Sequence, residues 1–257
     1  MTAAYAEGFA SLYDSLMDDV DYGAWAAYLM GLIRARLPDT KAPFLLDAAC
    51  GTGAMSVRFA ELGCRVVGSD VSPAMLALAQ QRARAHGVAV PFVEQDMRAL
   101  AAHKKADVVT ACCDGVNYLL SLADVSKFFR AAKRALRPGG LLLFDVSSAY
   151  KLARVLDGET FGEARENAAY LWQNVFDPDT RLLEMNLSFF VREGALYRRF
   201  DETHVQRAHT REELDALLLQ EGFTALACYD AFTGNPPRAD SERMQWIATS
   251  SHSITTN

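Results

Sequence analysis

The chain predicts an α/β fold: a seven-stranded, mostly parallel sheet with helices on both faces and an inserted antiparallel β meander. Three observations carry that expectation. Short apolar runs alternate with helical patterns between residues 44 and 146, the succession of a parallel sheet buried on both sides. The first run, Phe44-Leu45-Leu46, leads into Asp47-Ala48-Ala49-Cys50-Gly51-Thr52-Gly53, a strand entering a turn whose glycines let a ligand approach the backbone. After Tyr150 the rhythm changes to strands joined by short turns.

Each element has its local reason. Asp21 can cap a helix in which Trp25, Tyr28, Leu29, Leu32, Ile33 and Leu37 recur every three or four residues, and Pro38 stops it. The first strand covers about 44–48 and its helix about 53–62. The second strand is 65–70. Ser72-Pro73 then opens a helix to about residue 86, a cap followed by proline in the first turn. Strands follow at 90–94 and 107–112, a helix at about 124–136, and a fifth strand at 141–146 beyond Arg137-Pro138-Gly139-Gly140. Stretches 169–176, 182–191 and 196–205 read as three antiparallel strands, with Asp177-Pro178-Asp179-Thr180 and Glu193-Gly194 between them. A helix at 210–220, stopped by Gly222, precedes the last two strands at 224–229 and about 244–249. The expected divisions are a helical lid (1–42), a ligand-binding core (43–150), an inserted meander on the substrate side (151–207) and a helix with strands completing the sheet (208–257).

Composition narrows the function. The chain has 257 residues, 51% hydrophobic and 23% charged, ordinary for a single α/β domain with an insertion. Net charge is −6 and no basic run exceeds two adjacent residues, Lys104-Lys105 and Arg198-Arg199. Nucleic-acid binding leans on many phosphate contacts. A small-molecule substrate is therefore expected, and no nucleic acid. Five cysteines without any Cys-x-x-Cys spacing predict reduced, buried thiols and no metal site. Residues Met1–Glu7 lack the basic and apolar regions of a signal peptide, and no apolar run approaches membrane-spanning length. A cytoplasmic protein is the expectation, with a homodimer through the inserted strands a further one.

Three carboxylates end the first three strands: Asp47, Asp70 and, just beyond the third, Asp96. Strand ends of a parallel sheet line one crevice. Asp47 repels a pyrophosphate but attracts an ammonium group. Asp70, about 20 residues past the glycines, can accept from ribose hydroxyls. Asp96 can accept from an adenine amine, with the Met97 N–H aimed at a ring nitrogen, while Met75 and Leu76 pack the adenine face. These groups suit S-adenosylmethionine (SAM). NAD suits them less, because the dinucleotide fingerprint wants a third glycine where Ser56 stands.

Four segments carry a family resemblance: Leu46 to Gly53, Gly68-Ser69-Asp70-Val71-Ser72-Pro73-Ala74-Met75-Leu76, Gln95-Asp96-Met97-Arg98, and Leu136 to Gly140. Over residues 43–150, with the final helix and strands, the chain resembles the class I SAM-dependent methyltransferases, whose core is Rossmann-like. Asp114-Gly115-Val116-Asn117-Tyr118-Leu119 and Tyr13-Asp14 with Asp21-Tyr22 look like a bacterial small-molecule subgroup, similar to the aminosugar and glycine-type N-methyltransferases. The resemblance implies that Asp47, Gly51, Gly53, Asp70, Asp96 and Met97 contact SAM, with Tyr13 or Tyr22 closing over its methionine end. Ala49, Cys50, Val71, Met75 and Cys112 complete the implied cofactor set. Cys112-Cys113-Asp114 departs from the Asn/Asp-Pro-Pro-Tyr motif of some nucleic-acid methyltransferases, which argues against amino groups of DNA bases as acceptors.

Methyl transfer asks the protein mainly to align an acceptor lone pair and exclude water. Where the acceptor must also lose a proton, Asp114, Tyr118, Glu202 and His204 are the candidates for a base, and with Asn117 the candidate acceptor contacts. Glu202, His204 and Gln206 alternate along one predicted strand and so share a face. Arg98, Arg198, Arg199 and Arg243 read as surface or ion-pair residues. The expected activity is direct in-line methyl transfer to a small acceptor, nitrogen favoured over oxygen or carbon. The alternative is a SAM-binding sensor or partner-binding module without turnover.

Overall fold

The computed structural model describes residues 20–250. Helix α1 (Tyr22–Arg36) starts where Asp21 accepts from the Ala24 N–H at 2.8 Å. Strand β1 (Phe44–Ala48), helix α2 (Ala54–Glu61), strand β2 (Arg65–Asp70) and helix α3 (Pro73–Ala85) follow. The Ser72 side chain caps α3 at Met75 N, with Pro73 in the first turn. Strands β3 (Phe92–Glu94) and β4 (Ala106–Ala111), helix α4 (Leu122–Ala135) and strand β5 (Leu136–Ser147) complete the parallel run.

After a short π-helical turn (Lys151–Val155) come β6 (Thr160–Ala164), β7 (Ala168–Asp177), β8 (Leu182–Glu193) and β9 (Leu196–Arg207). Helix α5 (Arg211–Gln220) opens on a full capping box between Thr210 and Glu213. Strands β10 (Phe223–Asp230) and β11 (Arg243–Ser250) end the described chain.

The main sheet runs β10-β11-β5-β4-β1-β2-β3. Its five central and right-hand strands β5, β4, β1, β2 and β3 are parallel neighbours, while β11 inserts antiparallel between β5 and β10. Alternation across the pleat explains why these strands read as continuous apolar runs. Leu45, Val108, Leu143 and Ile247 face α1 and α2, packing with Trp25, Leu29, Ile33, Met55 and Phe59. Leu46, Val109, Phe144 and Trp246 face the other way, onto Val125, Phe128, Phe129 of α4 and Leu214, Leu218 of α5. Both faces are buried, as a parallel sheet requires.

The strand order reverses between β1 and β4, and the carboxyl ends there form the crevice in which open α/β sheets take ligands. Asp47 lies in register with Gly68 on one side and Thr110 on the other.

The meander is a separate antiparallel sheet, β6-β7-β8-β9. It holds four strands, not three. Strand β6 escaped the sequence reading because all five of its residues are exposed, so no alternation marks it. The fifth strand also starts earlier than expected. Leu136 already pairs with Ala106, and the register then shifts so that Leu141 pairs with Val108. Arg137-Pro138-Gly139-Gly140 is thus an irregular strand opening rather than a loop. Two apolar clusters help dock the meander. Leu183 and Met185 pack on Leu152, Leu156 and Ala208, and Phe189 packs on Met75 at the start of α3.

Candidate active site

A cleft of about 520 Å³ opens at the carboxyl ends of β1, β2 and β4, within the range of roughly 300–1,000 Å³ usual for small-molecule sites. Of the expected cofactor residues, Tyr22, Asp47, Ala49, Cys50, Gly51, Asp70, Val71, Met75, Asp96, Met97 and Cys112 all line it. Tyr13 lies outside the described residues. Tyr118 is the one expected acceptor residue on the wall.

The two turn glycines do different work. Gly51 sits at φ +53°, and a Cβ there would meet nothing within 4 Å, so its bare α-carbon leaves open space at the cleft. Gly53, at φ +74°, does not line the cleft. A Cβ on it would stand 2.9 Å from the Ala79 Cβ and 3.0 Å from Phe92. It is a packing glycine that lets α2 approach α3. Ala49, Cys113 and Asp114 also hold left-handed backbone, at φ 52°, 59° and 53°. Such strain concentrates at functional turns, and here it flanks the crevice on both sides.

Asp47 is 1% exposed. Its oxygens accept from Ser56 Oγ at 2.5 Å and Thr110 Oγ1 at 2.7 Å. Ser56, which stands where a dinucleotide fold wants glycine, is therefore the anchor of the strand-end carboxylate. Burial pushes Asp47 up to about 6, and the nearby Asp70 adds to this, against the two hydroxyl bonds. Asp70 accepts from the Gly51 and Ser72 N–H groups, both at 2.9 Å. Burial raises it above the ordinary carboxylate value in spite of them.

Asp96 is held by a fork from Arg98, which donates Nε to both oxygens at 3.0 and 2.9 Å, and hydrogen bonds from Arg98 keep its carboxyl below the usual range. Arg98, read as a surface or ion-pair residue, makes that ion pair on the cleft wall and reaches Asp124 at 3.5 Å. Burial raises the thiols of Cys50, Cys112 and Cys113 well above the ordinary cysteine value, which leaves them protonated and poor nucleophiles.

The remaining acceptor candidates do not line the cleft. Asn117 is fully buried and bridges backbone: it donates to Ser147 O and Arg207 O, and accepts from Ser147 N, all at 3.0 Å. It joins the turn after β4 to β5 and β9. Asp114 accepts from Arg243 at 3.0 Å and Gln206 at 2.6 Å, so its carboxylate is committed to an ion pair. Arg243 also donates to Asp145, buried in β5, and stacks 5.2 Å from the Trp25 ring centre. Sequence reasoning missed Asp145 because it sits inside an apolar strand with no pattern to mark it. Glu202 and His204, each 3% exposed, stand behind Tyr118. His204 is 3.2 Å from the Tyr118 hydroxyl through Nδ1 and 3.1 Å from Glu202 through Nε2. The cleft wall also includes Thr52, Ala54, Met55, Gln95, Gly115, Leu119 and Leu120, none of which the sequence reading named as a contact.

A strand-order switch, a glycine turn without a Cβ in the way, and a chain of carboxylates at successive strand ends define a Rossmann-like site for a cationic nucleoside, the arrangement of a SAM-dependent methyltransferase. Comparison with known proteins agrees. Residues 45–140 match the methyltransferase domain family Methyltransf_25. The YqeM protein of Bacillus subtilis (strain 168), designated a methyltransferase, is 40% identical over 249 residues, 96% of this chain and 98% of its own. A dTDP-4-amino-2,3,4,6-tetradeoxy-D-glucose N,N-dimethyltransferase of Saccharopolyspora spinosa is 27% identical over 87% of this chain and 88% of its own. A crystal structure of an S-adenosylmethionine-dependent methyltransferase from Clostridium acetobutylicum ATCC 824 superposes with a TM-score of 0.86, at 31% identity, covering 95% of this chain and 98% of that one. The chain belongs to the class I SAM-dependent methyltransferases, and SAM is its cofactor. No helix among the described residues is long and apolar enough to cross a membrane.

Proposed function

We propose that this enzyme methylates an amine nitrogen of a small molecule. The observation that carries the reading is the charge of the cleft. Its wall holds four carboxylates, Asp47, Asp70, Asp96 and Asp124, against one cation, Arg98, which is itself clamped on Asp96. A wall of that sign favours cations, and both SAM and an amine acceptor bring positive charge. The S. spinosa relative, named for an amino-sugar substrate, supports nitrogen as the acceptor atom.

The residues fit the cofactor. Asp47 would hold the α-ammonium. Asp70 would keep lone pairs for the ribose hydroxyls beyond its two backbone bonds, whereas both oxygens of Asp96 already accept from Arg98, so Asp96 would meet the adenine amine by sharing it with that guanidinium. Met75 and Met97, both on the cleft wall, would pack the base. Bound SAM supplies a methyl group already activated by its sulfonium. The chain's part is to align the acceptor, exclude water and hold the departing proton.

The test is formation of S-adenosylhomocysteine from SAM with three probes: dTDP-4-amino-2,3,4,6-tetradeoxy-D-glucose, D-glucosamine and D-glucose. Turnover with an amine and none with D-glucose is the expected result. Methylation of D-glucose, with both amines left untouched, would overturn nitrogen as the acceptor.

A further inference from the structure

We propose that Arg98 governs recognition of the nucleoside base, an inference that rests on the reading of Asp96 as acceptor for the base amine. Its guanidinium competes with the amine for Asp96, and a second acid, Asp124, takes the guanidinium up when the amine arrives. Arg98 is thus a positioning residue that acts on the ligand through a carboxylate.

Asp96 is a filled acceptor. It follows β3 and caps the short turn Met97–Ala99. Its Oδ1 accepts from the Arg98 backbone N–H at 2.8 Å and from Nε at 3.0 Å. Its Oδ2 accepts from Nε at 2.9 Å and from Nη2 at 2.5 Å. A carboxylate offers about four lone-pair sites, and one residue occupies them all. Hydrogen bonds from Arg98 also hold the Asp96 carboxyl below its usual range, so it stays ionised and has no proton to give. An amine reaches Asp96 by displacing part of this fork.

The second acid makes that displacement possible. Asp124, in the first turn of α4, stands 3.5 Å from an outer nitrogen of Arg98, Nη1, a long contact beside the bonds on Asp96. Lys127 on its Oδ1 at 2.9 Å and Ser121 on its Oδ2 at 3.0 Å hold it in place. Shortening the Arg98–Asp124 contact frees Oδ2 of Asp96 for the amine, while the backbone N–H keeps Oδ1 where it is. Asp96, Arg98 and Asp124 all line the cleft, so the exchange runs along its wall from the end of β3 to the start of α4. The Asp96 and Arg98 side chains are 34% and 44% exposed. Ion pairs this open to water are weak, which suits a bond that a neutral amine must disturb. SAM and S-adenosylhomocysteine carry the same base, so the competition loosens both and favours release of the product.

The test uses titration calorimetry on the full chain with two ligands: S-adenosylhomocysteine and its analogue with purine in place of adenine, which lacks the 6-amino group. The ratio of their Kd values reads the amine alone, because a packing or folding defect shifts both ligands together. A preference of about tenfold for the amine is expected in the wild type. Asp96→Ala should abolish it. Arg98→Ala and Arg98→Gln should raise it about threefold or more, since the amine then meets an open carboxylate. Asp124→Asn should lower it, since the guanidinium loses its second partner. Raising NaCl from about 0.05 to about 0.5 M should raise the ratio in the wild type and leave it level in Arg98→Ala, because salt weakens the fork. A ratio abolished by Asp96→Ala but no higher than wild type in both Arg98 variants overturns the competition and spares the base assignment. A ratio in Asp124→Asn no lower than wild type overturns Asp124 as the second partner. A wild-type ratio near unity, or one indifferent to Asp96→Ala, overturns the base assignment and the proposal with it.

Discussion

At the scale of single residues, the strand-end carboxylate Asp47 sets a pH response. Its value near 6 comes first from burial. A carboxylate raised this way carries more proton in the native state than in the unfolded chain between about pH 4 and 6, so its ionisation costs stability as pH rises through that window. An ammonium placed beside it favours the charged form and opposes the shift. SAM binding should therefore weaken as pH falls below about 6 in the wild type. Asp47→Asn should bind about 1–3 kcal/mol more weakly at pH 7, and its affinity should stay level from about pH 7 down to 5. Titration calorimetry at three pH values checks both. A wild-type affinity that does not change across that range would place the ammonium elsewhere.

At the scale of elements, the turn after β4 depends on one side chain. Asn117 satisfies two carbonyls and one N–H on β5 and β9 while fully buried. Asn117→Ala strands those groups without water, at a cost of at least about 2 kcal/mol, read as a lower urea midpoint at unchanged slope. That role explains what the sequence could show of the site and what it could not. Asp47, Asp70 and Asp96 were legible because each follows an apolar run, and a strand end in a parallel sheet has one place to point. Asn117 and Asp114 lie in the turn after β4 and His204 on β9, and their partners lie 86 to 129 positions away: Arg207 beyond Asn117, Arg243 beyond Asp114, Tyr118 before His204. Spacing along the chain carries no information about such pairs. Strands with both faces buried were legible for the same reason that β6, with no face buried, was not.

At the scale of the whole molecule, Arg243 ties the layers together. From β11 it holds Asp145 of β5 and Asp114 of the post-β4 turn, lies over Trp25 of α1, and reaches β9 through Gln206. Burial raises Asp145 above the ordinary carboxylate value, and Arg243 is the chief force opposing that rise. Arg243→Ala leaves that carboxylate buried without its counter-charge, a loss of about 3–5 kcal/mol. The sign with pH follows. Protonation relieves the stranded carboxylate, so the deficit against wild type should be largest at neutral pH and shrink as the solution is acidified. Urea unfolding of both proteins at pH 7 and pH 5 measures it, and an equal deficit at both would mean that Asp145 is not the group left exposed to the loss.

The contact between Phe189 and Met75 has its own consequence. Phe189 of β8 and Met75 of α3 share one buried apolar cluster, and Met75 also lines the cleft. A guest that presses on Met75 would shift the meander through this cluster. Linkage would make such an exchange mutual: an acceptor that orders the meander would bind the cofactor form more firmly, by the same factor with which the cofactor favours the acceptor.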